Sequence, residues 1–277
     1  MSEHAAAPAA APSCAPRTYR AIYFDLDGTL LPMELEEFLG AYFKSLCDYM
    51  AKRGVPKEVF FPALKAGIGA MMVHDDNRLN AEVFWEAFLP AMRAVDAERD
   101  WQRVFVSFYE GPFKEIGANV TPNPATVRAI AALAEKGYPL VVATMPLFPL
   151  TAVRTRLGWA GLDPDAFCRI TNFENSTSVK PKLAFYEENL RAAGLAGAEA
   201  LMVGNNTEED LACLGCGMDA FLVTDHMLDP VSFDLSTVKH GSMEEFAAWA
   251  EALPACENPA QGIEMGPVAP ARAVEGE

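Results

Sequence analysis

The chain has 277 residues, of which 51% are hydrophobic, and a formal charge of -16. That length supports one large domain or two smaller ones with their own cores. The acidic balance excludes nucleic acid and anionic membrane surfaces as partners, because both need clustered cations. It leaves room for an anionic small molecule, since a local site can oppose the global sign.

The first residues, MSEHAAAPAAAPSCAPR, lack a basic leader and an apolar core. They do not read as a secretory signal, and residues 1–18 read as a disordered tail. No apolar run is long enough for a membrane span. The six cysteines are scattered, so reduced thiols and a cytoplasmic location are expected. Cys213 and Cys216 form a CxxC with no second pair nearby. Small residues packed on a sheet are preferred there over zinc.

The stretch Ala21-Ile22-Tyr23-Phe24 is a strand signal. It runs directly into Asp25-Leu26-Asp27-Gly28-Thr29. An ionised carboxylate is costly to bury without a partner, so this pair asks for a cation, a shifted pKa or a reaction. From Met33 to about Gly117 the apolar spacing becomes three and four, as at Leu35, Phe38, Leu39, Tyr42, Phe43, Leu46 and Met50. Helices are expected over 34–50, 57–72, 81–95 and 101–110. The polar segment His74, Asp75, Asp76, Asn77, Arg78 and Asn80 reads as a solvated turn, with a substrate-reading loop as the alternative.

Beyond it, strands and helices alternate. A helix from Thr121 to about Lys136 precedes a strand, Tyr138 to Ala143. A helix over 147–157 precedes a strand over 169–173. A helix over 181–193 precedes the strand Ala200 to Val203. A helix over 208–216 precedes the strand Ala220 to Val223. The alternation implies right-handed crossovers and a parallel sheet. The expected architecture is α/β: a doubly wound parallel sheet over 19–32 and 119–253, with an all-helical cap, 33–118, inserted after the first strand. Residues 254–277 read as a second disordered tail. Pro32-Met33 and Ala118 to Thr121 are candidate hinges.

In such sheets the ligand crevice lies beyond the carboxyl ends of the strands. Asp25 and Asp27, Thr144, Lys180, and the run Gly204-Asn205-Asn206-Thr207-Glu208-Glu209-Asp210 all fall at such ends. These four motifs, in this order, resemble the haloacid dehalogenase superfamily, whose members are mostly phosphatases that pass through an aspartyl-phosphate. The resemblance covers about Tyr19 to Asp225 and implies the Rossmann-like fold and the cap.

It further implies that Asp25 is the nucleophile and Asp27 the general acid–base. Thr144 and Lys180 would bind the phosphate. Mg²⁺ would be held by Asp25, the Asp27 carbonyl and the fourth motif, here Asn205 and Asp210. The substrate expected is a small phosphorylated metabolite. Asn205, or Asn206 under a one-residue shift, stands where a metal-binding Asp is usual, and Met145 stands where Asn or Gly often follows the threonine. A non-catalytic protein on this fold and a metal-free haloacid dehalogenase are the alternatives; the latter characteristically lack the second acid, which Asp27 supplies.

Overall fold

The computed structural model describes residues 18–268. The expectation of a disordered start therefore falls almost wholly outside the described residues, as does Cys14.

Six parallel strands make up the sheet among the described residues, in the order β3-β2-β1-β4-β5-β6. They are β1 (Ala21–Phe24), β2 (Leu140–Val142), β3 (Arg169–Ile170), β4 (Ala200–Gly204), β5 (Asp219–Val223) and β6 (Lys239–Gly241). β1 is central and fully buried, which is why its sequence is continuously apolar rather than alternating. Its register pairs Phe24 with Val142 on one side and Val203 on the other. The residues just past these partners, Asp25, Thr144 and Asn205, therefore share one sheet edge.

Both faces are covered. One face carries a core of Ile22, Phe24, Leu133, Leu157 and Phe246, contributed in part by α5 (Pro124–Glu135), α6 (Leu150–Trp159) and α8 (Met243–Ala252). The other carries Tyr23, Phe185, Met202 and Leu222, with α7 (Leu183–Ala193) laid across it.

Between β1 and α5 stand α1 (Leu35–Ala51), α2 (Lys57–Val73), α3 (Asn80–Val95) and α4 (Trp101–Glu110). Their aromatic interior joins Phe38, Phe60, Phe88, Phe105 and Phe108. It also takes in Phe173, Phe148 and Trp159 from the sheet domain, so the cap is seated on the sheet edge by shared packing. Trp159 lies so close to Gly117 that any Cβ there would overlap the ring.

Four expectations are corrected. The strand over 169–173 stops at Ile170 because asparagine side chains take over the backbone groups: Asn172 Oδ1 accepts from Glu174 N at 2.9 Å and Asn175 Oδ1 from Asn172 N at 2.9 Å. The helix over 208–216 is a turn followed by a short 3-10 segment, Leu211–Cys216. The His74–Asn80 segment is solvated only in its middle. Asn80 is fully buried; its Nδ2 donates to the carbonyls of Pro146 and Ser178 at 3.2 Å, and its backbone N–H to that of Ser176 at 2.9 Å. Finally, the chain from Pro254 to Val268 is not a loose tail. Ala260 N–H donates to the Arg20 carbonyl and Glu264 N–H to that of Ala192, both at 2.9 Å, and the Arg169 guanidinium donates to the Gly266 carbonyl at 2.8 Å.

Candidate active site

Asp25 is the first residue beyond β1 and is 8% exposed. Its backbone N–H donates to the Val203 carbonyl at 2.8 Å, which fixes the carboxylate at the crevice. Lys180, fully buried, donates to Asp25 Oδ1 at 2.7 Å and to Asp210 Oδ1 at 2.6 Å. One ammonium thus bridges two carboxylates. Burial opposes its charge, but Asp210 and Asp25 outweigh burial and hold its pKa above the ordinary value.

Asp210 has both oxygens engaged. Its Oδ2 accepts the backbone N–H groups of Asn205 and Asn206, each at 2.9 Å. Gly204 is required here, because a Cβ would overlap the Asp210 carboxylate. Asp210, expected as a metal ligand, is bonded here to Lys180 and to the Asn205–Asn206 backbone. Burial, only partly offset by Lys180, pushes its pKa up to about 6.

Thr29 donates across the site. Its Oγ1 lies 3.5 Å from Asp25 Oδ2 and 3.3 Å from Asn205 Oδ1. Asn205 Nδ2 donates to the His226 carbonyl at 2.6 Å, and the amide oxygen is turned toward Thr29 Oγ1. Asn206 instead caps the following turn, its Oδ1 accepting from Glu208 N–H at 3.0 Å and Glu209 N–H at 3.1 Å. Asn205, not Asn206, shares the Thr29 hydroxyl with Asp25. Thr144 is buried, and its carbonyl accepts the Thr171 hydroxyl at 2.7 Å.

Asp27 follows on a tight turn closed by Gly28 N–H donating to the Leu31 carbonyl at 2.9 Å. Gly28 has φ 75°, and a Cβ there would overlap the Asn205 amide. Gly28→Ala is therefore expected to destabilise by ~1–3 kcal/mol, through left-handed backbone strain and displacement of Asn205. A thermal melt checks the stability, and unchanged melting would show that the turn relaxes freely.

One participant was missed in the sequence. Arg156, on α6, is fully buried and pairs with Asp27 Oδ2. Its guanidinium lies 4.9 Å from the Phe38 ring centre and 5.0 Å from that of Phe148, so an aromatic residue of the cap and one of the sheet domain enclose it. Burial pulls its pKa down to about 9, which leaves it charged at neutral pH. Arg156 Nε and Nη1 and Asp27 Oδ1 are buried without a hydrogen-bond partner. Arg156 carries no motif within Leu150–Trp159, and the other arginine of that helix, Arg154, pairs with Asp165 instead.

The donor set suits a hard cation. Asp25 Oδ2 and Asn205 Oδ1 converge near Thr29 Oγ1, and Asp27 Oδ1 lacks a partner. Among the described residues no three acidic, histidine or cysteine side chains form a metal cage, so ligation would lean on neutral oxygens and on substrate.

A family model described as haloacid dehalogenase-like hydrolase matches residues 19–215. Among curated proteins none matches the chain in sequence. Solved structures with the same fold include a predicted phosphoglycolate phosphatase from Haemophilus somnus 129pt (TM-score 0.51, 18% identity, 83% of this chain and 97% of that one). The L-2-haloacid dehalogenase RSc1362 aligns with TM-score 0.51 and 16% identity over 85% of this chain and 100% of its own. A HAD phosphatase from Thermococcus onnurineus aligns with TM-score 0.50 and 19% identity over 83% and 97%. At these identities the neighbours speak for the fold alone, but the family match takes in β1, the cap and all four motifs. The chain belongs to the haloacid dehalogenase-like hydrolases.

Proposed function

We propose that this protein is a Mg²⁺-dependent phosphatase that hydrolyses a small phosphate monoester through an aspartyl-phosphate on Asp25. The observation that carries the reading is the second carboxylate, Asp27, two residues from Asp25 and with a buried oxygen still unpartnered. Displacement of a halide requires no such group, whereas expulsion of an alkoxide requires a proton donor.

Lys180 holds Asp25 Oδ1, and Oδ2 lies 3.5 Å from the Thr29 hydroxyl. One Asp25 carboxylate oxygen attacks phosphorus while the other stays with the cations, the P–O bond to the alcohol breaks, and the alcohol oxygen takes a proton. Water then attacks the acyl phosphate, releasing phosphate and restoring the carboxylate. Asp27 is the group placed to give and then take that proton. It pairs with Arg156, and to act as the acid it must leave the guanidinium. Thr144, buried just beyond β2, would cradle phosphate.

Charge balance supports the metal. Lys180 and Arg156 are both matched to carboxylates, so a phosphate dianion meets a site with no surplus cation. Asp25, the Asp27 carbonyl and Asn205 would hold Mg²⁺, which would supply the missing positive charge. With one neutral oxygen in place of an anionic one, affinity in the free enzyme should be weak. Asn205→Asp is expected to lower the Mg²⁺ concentration for half-maximal phosphate release by about tenfold, roughly 1.4 kcal/mol. An unchanged Mg²⁺ dependence would remove Asn205 from the ligands.

A second reading has its own support. With Asp210 fully engaged and Asn205 neutral, the site can also stand without a metal, as in 2-haloacid dehalogenation, where Asp25 would displace halide from C2 and water would cleave the ester. Phosphate esters and 2-haloacids assayed with Mg²⁺ and with chelator separate the two: phosphate release abolished by chelator supports the first, halide release insensitive to it the second, and neither activity a binding protein. The localisation proposed is the cytoplasm; among the described residues no helix is long and apolar enough to cross a membrane.

A further inference from the structure

A cavity of about 580 Å³ lies at the seam between cap and sheet domain, within the usual range for small-molecule sites. No residue of the proposed catalytic set lines it. Its walls are the rings Phe43, Phe84, Trp85, Phe105, Phe148 and Phe173, drawn from α1, α3, α4 and two loops at the sheet edge. The charged side chains lining it are Glu82 and Glu174, both exposed at its rim, beside the exposed Gln102; no cation lines it. Carboxylates at the mouth of an aromatic chamber repel anionic amphiphiles such as fatty carboxylates and admit neutral or cationic ring systems, whose quadrupoles pack on the walls.

We propose that this cavity is a binding site for a neutral or cationic aromatic molecule, distinct from the phosphate crevice. Phe148 belongs to both places: it walls the cavity and stacks on Arg156, which holds Asp27. The occupant is thus one ring away from the catalytic carboxylate pair. Either the ring-bearing part of the substrate or a separate ligand supplies the same chemistry.

The test uses two fluorescent probes with one ring system. N-phenyl-1-naphthylamine is neutral, and 8-anilinonaphthalene-1-sulfonate adds a negative charge. The neutral probe is expected to bind the full chain saturably at one site, about tenfold more tightly than the sulfonate. Val106→Trp, at a lining position that is 50% exposed, should weaken the neutral probe about tenfold by covering the mouth without lowering the melting temperature. Gln102→Lys, at the exposed rim, should narrow or reverse the preference between probes. Displacement of the neutral probe by 1-naphthyl phosphate from Asp25→Asn protein would identify the occupant as the substrate's own ring; binding without displacement would identify a separate ligand. No saturable binding of the neutral probe, equal or tighter binding of the sulfonate, or indifference of both probes to both substitutions would overturn the proposal.

Discussion

Asp25→Asn is expected to reduce turnover by roughly 10⁴–10⁶-fold while leaving the protein folded, since removal of a covalent nucleophile has effects of that order. The amide matches the carboxylate in shape, and the Asp25 backbone bond to Val203 is untouched. The loss arises because an amide nitrogen or oxygen cannot form the acyl phosphate. Lys180 would keep its contact with Asp210, which holds the crevice together. The measurement is turnover on an active substrate beside far-UV circular dichroism. A folded variant with activity near the parent would remove Asp25 from the nucleophile's role.

Lys180→Met should be the most destabilising single change at the site. Lys180 is fully buried between Asp25 and Asp210, at 2.7 and 2.6 Å. Its removal leaves two buried carboxylates facing each other with no cation between them. Breaking a buried ion pair in this way costs ~3–5 kcal/mol, and in a domain of this size each kcal/mol shifts the melting temperature by about 2–4 °C. The second variant, Lys180→Met with Asp210→Asn, removes one stranded charge and should recover part of the loss, a coupling that a double-mutant cycle measures. Equal destabilisation in the single and double variants would show that Asp210 and Lys180 do not depend on each other.

The architecture was legible because its signals are periodic or positional. Continuous apolar runs in β1 and β4 announce a doubly covered parallel sheet, and the three-and-four spacing from Leu35 to Met50 announces the cap. Asp25, Asp27, Lys180 and Asp210 were legible as motif residues at strand ends, and the structure brings them to one edge. What sequence could not carry was partnership. Nothing local says that Asp210 turns both oxygens inward, that Asn205 meets the Thr29 hydroxyl while Asn206 caps a turn, or that Arg156 reaches Asp27 from a helix 129 residues away.

β6 is short and polar, so its pairing comes from its neighbour β5 rather than from pattern. The helix after it did carry a signal that went unread: Ser242 and Glu245 form a capping box, with Ser242 Oγ accepting Glu245 N–H at 3.2 Å. The segment after Pro254 misled for a compositional reason. Its Pro, Gly and Glu content reads as disorder, yet it is held by backbone groups, which composition does not describe.

Acid-quenched peptide mapping tests the central claim most directly. The protein is mixed with Mg²⁺ and a panel of phosphate esters, and in parallel with 2-haloacids, quenched in acid, digested and read by mass spectrometry. The account predicts a phosphoryl group on Asp25, absent in Asp25→Asn protein. A phosphoryl group on another side chain, turnover with Asp25 never modified, or an ester formed on Asp25 from a 2-haloacid with no phosphate chemistry at all would contradict it.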